Sequence, residues 1–154
     1  MNKSFDVRVL GAEDTALMRA MLSMFGKAFV EAATYTAQQP DDAYLEHLLS
    51  SSTFVAVAAL SGDEVIGGIA AYVLRKFEQA RSELYIYDLA VDEAHRRQGV
   101  ATAMNLVSNE TNRVSHHLRI VRRDQRCRVV HLRAAHGFRT DVRVLSICQP
   151  RGLQ

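Results

Sequence analysis

The sequence predicts a single α/β domain built on a mixed sheet. Apolar runs and amphipathic stretches follow one another in the order strand, helix, helix, hairpin, strand, helix. The length of 154 residues corresponds to one domain, and a chain of that size hides roughly two-thirds of its unfolded surface. A hydrophobic fraction of 48% excludes wholesale disorder. No apolar run approaches the ~18 residues that a membrane span requires. The start, Met1-Asn2-Lys3-Ser4-Phe5-Asp6, lacks an apolar signal region, so a cytoplasmic protein is expected. Cys127 and Cys148 show neither a C-x-x-C spacing nor a disulfide framework, and no metal site is expected.

Phe5 to Leu10 alternates and reads as a first strand, ended by Gly11. Leu17, Met18, Met21, Leu22, Met24, Phe25 and Phe29 form an apolar stripe, which predicts an amphipathic helix over 13–30. Glu13 and Asp14 suit the positive end of its dipole, and Gly26 is expected to weaken or bend it. A polar stretch from Thr34 to Gln39 reaches Pro40. Asp41 is then the N-cap of a second helix that buries Tyr44, Leu45, Leu48 and Leu49. Thr53–Leu60 and Val65–Leu74, separated by Ser61-Gly62-Asp63-Glu64, make a hairpin. Their nearly unbroken apolar character places them in a sheet covered on both faces. Glu83–Val91 is a third long strand, and a helix begins near Gly99.

The net charge of +2 conceals an asymmetry. Residues 1–103 hold 9 Lys+Arg against 14 Asp+Glu, whereas residues 104–154 hold 10 Arg, no Lys and 3 acids. Such a contrast ordinarily suggests a basic tail for nucleic acid. Against that use, Phe138 is the one aromatic after residue 103.

The segment Arg96-Arg97-Gln98-Gly99-Val100-Ala101 joins a strand to a helix. A turn of this kind presents free backbone N–H groups and the positive end of a helix dipole. Gly99 lets the backbone approach an anion closely, and Arg96 and Arg97 can add charge-assisted bonds to phosphate oxygens. The spacing is neither that of the P-loop nor that of the dinucleotide fingerprint.

A strand ending Leu89-Ala90-Val91, followed by Arg-x-x-Gly-x-Ala at a helix mouth, resembles the acetyl-coenzyme A signature of the GNAT acyltransferases. Longer blocks resemble the aminoglycoside 3-N-acetyltransferases of the gentamicin-resistance type. They include Met24-Phe25-Gly26-Lys27, Ala33-Thr34-Tyr35, Gln39-Pro40, Lys76-Phe77-Glu78-Gln79 and Tyr85-Ile86-Tyr87-Asp88-Leu89-Ala90-Val91. This likeness spans about residues 5–103. It implies the GNAT fold, a mostly antiparallel mixed sheet flanked by helices. It also implies acetyl transfer from acetyl-coenzyme A to the 3-amino group of an aminoglycoside by direct amine attack, and a homodimer. The cofactor is expected on Leu89, Ala90, Val91, Arg96, Arg97, Gln98, Gly99, Val100, Ala101 and Thr102.

Such chemistry needs a base for the substrate ammonium and acidic walls for a polycation. Asp88 is the first candidate for base or amine anchor, because a carboxylate within an apolar strand must justify its desolvation. Glu83 and Tyr87 are the further catalytic candidates, although Tyr85 and Tyr87 also read as core residues. Glu31, Asp41, Asp42 and Glu78 are candidates for binding substrate. Alternation along the strand puts Glu83 and Asp88 on opposite faces unless a bulge intervenes.

After Ala103 the longer blocks stop. Residues 104–136 show no long apolar strand, and the family's thiolate-protonating Tyr would fall near Arg133. Two explanations compete. One is a basic segment binding a polyanion, on a non-catalytic acyltransferase-like domain. The other is a reading-frame offset in the gene, since His116-His117-Leu118-Arg119 and Val129-Val130-His131-Leu132 admit family-type strings one base later. Either predicts impaired acetylation by this chain.

Overall fold

The structure is a computed structural model that describes residues 5–111 and 120–122. Strand β1 (Asp6–Val9) leads through a 3-10 turn at Ala12–Asp14 into helix α1 (Thr15–Phe29). Two further helices follow, α2 (Ala32–Thr36) and α3 (Asp42–Ser50). Strands β2 (Phe54–Ser61), β3 (Glu64–Arg75) and β4 (Ser82–Val91) then form a meander. Helix α4 (Val100–Thr111) and strand β5 (Ile120–Arg122) complete the described elements. The sheet order is β1-β2-β3-β4-β5, antiparallel except for the parallel pairing of β4 with β5. Among the described residues no helix is long and apolar enough to cross a membrane.

The near-continuous apolar strands are covered on both faces, as the sequence predicts. On one face Met18, Met21, Met24 and Phe25 of α1, with Leu45 and Leu49 of α3, bury against Phe54, Ala58, Ala70 and Ala90. On the other, Val100 and Met104 of α4 bury against Val57, Ile69, Leu84 and Ile86. Gly67 and Gly68 of β3 admit the two layers. A Cβ on Gly67 would lie 3.1 Å from both Val100 Cγ1 and Met104 Cε, and one on Gly68 would lie 2.5 Å from Met21 Cγ.

The expectations for Tyr44, Gly26 and the stretch before Pro40 need correction. Tyr44 is 58% exposed on α3 rather than buried. Gly26 does not bend α1, which is continuous from Thr15 to Phe29. Its missing side chain is used instead by α2, since a Cβ there would meet Ala32 Cα at 3.2 Å and Tyr35 Cβ at 3.5 Å. The polar stretch before Pro40 holds that short helix rather than plain loop. Asp14 does stand at the N-terminus of α1, where its carboxylate also accepts from Arg8 at 2.6 Å and from the Gly11 amide at 2.9 Å.

Asp41 is the N-cap of α3, accepting from the Tyr44 amide at 2.8 Å. Within 104–136 the described residues are the second half of α4 and β5. The frame offset, the site near Arg133 and the basic tail lie outside the described residues.

Helix α1 ends on Val30, which adopts a left-handed φ of 58° and is 90% exposed. A β-branched residue is strained there, and glycine is the usual occupant. Val30→Gly is expected to stabilise the fold by about 1 kcal/mol, the strain relieved outweighing the entropy lost. A raised urea midpoint at constant slope would show it; an unchanged or lowered midpoint would contradict it.

Candidate active site

Helix α4 starts immediately after the basic turn. Arg97 and Gly99 have left-handed φ values of 61° and 82°, so the backbone reverses twice before the helix. The Gly99 carbonyl accepts from the Ala103 amide at 3.0 Å, which makes Gly99 the N-cap position. The amides of Val100, Ala101 and Thr102 therefore precede the first intrahelical bond. Among the described residues no acceptor meets the amides of Arg97, Gln98 and Gly99 either. Among the described residues, a Cβ on Gly99 would find nothing within 4 Å.

Arg96, Arg97, Gln98 and Thr102 are exposed, while the Val100 side chain is buried and anchors the helix. Arg96 Nε donates to the Val91 carbonyl at 3.2 Å, holding its guanidinium beside the end of β4. Gln98 Nε2 is turned back onto the Ala94 carbonyl at 3.1 Å. Ala90 is buried in the core on the α1 face, whereas Leu89 and Val91 pack on the α4 face. Backbone rather than side chain is what this strand end offers a ligand.

The bulge that the sequence left as a condition is present. Ala70 pairs with Asp88 and Ala71 with Ile86, so Tyr87 is the extra residue on β4. The phase of the strand therefore shifts by one. Leu84 and Ile86 before the bulge, and Leu89 and Val91 after it, face α4. Glu83, Tyr85, Asp88 and Ala90 share the opposite face by alternation.

Asp88 accepts a hydrogen bond from the Tyr35 hydroxyl at 2.9 Å. The rings beside it form a ladder: Phe54 to Tyr72 at 5.2 Å, Tyr72 to Tyr87 at 5.9 Å, and Tyr85 to Tyr87 at 6.4 Å. Tyr72 and Tyr87 are 39% and 40% exposed, so Tyr87 is wall rather than core. Burial, together with the charge of Asp88, pushes the Tyr35 and Tyr72 hydroxyls above the usual tyrosine range. Both shifts favour the neutral hydroxyl, and that of Tyr35 is the donor to Asp88. Strand β5 pairs with β4 only at Leu84, Tyr85 and Ile86. Carboxylate, strand end and helix N-terminus thus follow one another along the chain.

The profile of the acetyltransferase (GNAT) family matches residues 18–135. The chain belongs to the GNAT acetyltransferase family. The match runs past Ala103, where the longer sequence blocks stop. Among solved structures, this GNAT chain is similar to an aminoglycoside acetyltransferase, HMB0005, from an uncultured soil metagenomic sample. The identity is 40%, with 87% of this chain and 99% of the other covered and a TM-score of 0.72. A second metagenomic soil aminoglycoside acetyltransferase, meta-AAC0020, in complex with sisomicin, shares the fold at 21% identity, covering 88% and 95%, with a TM-score of 0.71. The aminoglycoside N-acetyltransferase AAC(6')-Iy in complex with CoA shares it at 17% identity, covering 76% of each chain, with a TM-score of 0.56. No curated protein sequence matches the chain.

The other acids of this GNAT domain are placed differently from Asp88. Glu83 is 6% exposed and pairs with Arg81 at 2.7 Å and with Lys76 at 3.7 Å. Glu78, on the surface, pairs with the same two cations. Its own backbone amide, then Lys76 and Arg81, hold its carboxyl below the usual range. Together these four residues close the β3–β4 connection. Glu31 precedes α2 and acts on Tyr35 through its charge. Asp41 is committed to its cap, and Asp42 pairs with Arg19 of α1 at 2.7 Å.

Glu83→Gln is expected to cost about 2 kcal/mol of stability, because Arg81 loses its nearly buried partner, with turnover within threefold of the parent. A hundredfold loss of turnover at unchanged stability would instead make Glu83 catalytic.

The residue that sequence reasoning missed is Tyr35. It stands in one of the quoted blocks, but nothing local signals a contact with a residue 53 positions away.

Proposed function

We propose that this acetyltransferase acetylates the 3-amino group of a deoxystreptamine aminoglycoside, using acetyl-coenzyme A. The observation that carries the reading is Asp88 on the β4 bulge, held by Tyr35 and flanked by an aromatic wall. The 40% identity to an aminoglycoside acetyltransferase along nearly all of that chain's length supports the substrate class.

The residues present fit the cofactor. The open amides from Arg97 to Thr102, the empty space at Gly99 and the exposed Arg96 and Arg97 suit a pyrophosphate. When bound, acetyl-coenzyme A supplies the acetyl group as an activated thioester. The β4 edge beyond Ile86 offers backbone groups to the rest of that molecule and amide donors to a carbonyl oxygen. Asp88 attracts the substrate ammonium and takes its proton, leaving the neutral amine to attack directly. Tyr72 and Tyr87 give a sugar ring and its ammonium groups an aromatic face. Glu31, exposed before α2, adds negative charge toward a polycation, whereas the charge of Glu78 is offset by Lys76 and Arg81. A homodimer, as in the resembled enzymes, is part of the proposal. Turnover is expected to be slow, because the chain beyond residue 103 carries ten arginines and three acids.

The test is coenzyme A release by the purified chain with gentamicin, followed by NMR of the product. Acetylation at the 3-amino group supports the proposal, and acetylation at another amine overturns the assigned position. No release, together with a salt-dependent oligonucleotide shift, would favour the non-catalytic reading. A chain carrying a family-type segment at 104–136 is expected to turn over faster than the parent.

A further inference from the structure

We infer that Tyr35 is a positioning residue, whose hydroxyl fixes the Asp88 carboxylate and favours its ionised form. The inference rests on the reading of Asp88 as base or ammonium anchor.

The hydroxyl donates to Asp88 Oδ2 at 2.9 Å, from a helix of only five residues. Such a helix has little stability of its own, so its ring must be held by packing. The ring lies 5.9 Å from that of Phe25 and 5.8 Å from that of Phe29, and those two stack at 5.6 Å. Gly26 lets α2 settle against α1 at this point. Behind the ring, Gln39 Nε2 donates to the Tyr35 carbonyl at 3.2 Å, and Arg19 holds the Gln39 side-chain oxygen at 3.2 Å. Contacts from α1 and from the turn before α3 therefore determine where one hydroxyl points.

Among the described residues, the ionisable groups that act on Tyr35 and Tyr72 at this face are Glu31 before α2, Tyr44 on α3, and Tyr87 and Asp88 on β4. A donor hydrogen-bonded to a carboxylate stabilises the ionised form and lowers its affinity for a proton. Tyr35 supplies that donor, and burial keeps its hydroxyl protonated. The hydroxyl locks one oxygen.

Tyr35→Phe keeps the ring and removes the donor. The measurement is kcat/KM for acetyl transfer against pH, with the melting temperature of each variant. Without its donor the carboxylate protonates more readily, so the acid limb is expected to move about half a pH unit or more upward. The plateau is expected to fall about tenfold, with the melting temperature nearly unchanged. An acid limb that does not move overturns the inference, whatever happens to the plateau. Because turnover is expected to be slow, the Asp88 carboxyl is also titrated by ¹³C NMR without substrate; an unshifted midpoint in Tyr35→Phe overturns the inference equally. If Tyr35→Phe does not fold, a fluorinated tyrosine in place of Tyr35 keeps the ring and strengthens the donor. The limb must then move down, and a fixed limb is again fatal. Asp88→Asn in the same assay separates the two readings. Parent-like turnover there sinks the role of Asp88, whereas lost turnover there with an unmoved limb in Tyr35→Phe sinks only the role of Tyr35.

Discussion

Asp88→Asn is expected to lower kcat for acetyl transfer by ~10²–10⁴ at neutral pH, while cofactor affinity stays nearly constant. The substitution preserves the shape of the side chain and removes its charge. The Tyr35 hydroxyl keeps an acceptor, because an amide oxygen can replace the carboxylate oxygen at 2.9 Å. The fold should therefore survive, and the effect should appear in turnover. An ammonium group that meets an amide in place of a carboxylate keeps its proton and cannot attack. Raising the pH supplies more free amine from solution, so the deficit should shrink in alkaline buffer. A loss of less than threefold at neutral pH would return Asp88 to a structural role.

Gly99→Asp is expected to weaken acetyl-coenzyme A binding by ~10²–10³-fold in titration calorimetry. Two effects act together. An L residue at a φ of 82° is strained, which costs the fold about 1–2 kcal/mol. The added carboxylate also occupies the open space in front of the amides and repels a pyrophosphate. Gly99→Ala separates them, carrying the strain without the charge, and is expected to lose less than tenfold in affinity. Equal losses in both variants would mean that backbone conformation, not anion contact, sets affinity. An unchanged affinity in Gly99→Asp would remove the anion site from this turn.

Much of the frame was legible in the sequence because its signals are local. The β2–β3 hairpin announces itself by two apolar runs around a Gly/Asp turn, and Asp41 by its place before an apolar stripe. Gly99 likewise marks the start of α4, since only a residue tolerant of positive φ suits that turn. Asp88 stood out because a carboxylate in an apolar strand is anomalous. What was not legible is contact across the chain. The partner of Asp88 sits on a five-residue helix whose docking depends on a glycine one helix earlier. Glu83 ranked next after Asp88, and only the folded β3–β4 connection brings Arg81 and Lys76 onto it. Strand β5 is three residues long, too short for periodicity to register. Its place beside β4 comes from pairing rather than pattern.

The adjacent glycines of β3 give the molecule a gauge. At Gly67 and Gly68 the layer between α4 and α1 is bare backbone, with no side chain on either surface to repack. Helix α4 follows the turn proposed for the pyrophosphate, and α1 carries α2 with its tyrosine. The spacing between the two proposed halves of the site therefore depends on these two positions. Added bulk there acts like a shim, and its direction depends on which glycine receives it. A methyl group at Gly67 lifts the cofactor side, and one at Gly68 lifts the amine side. The two neighbouring positions are thus separate adjustments of one spacing, each altering the fit of a different substrate.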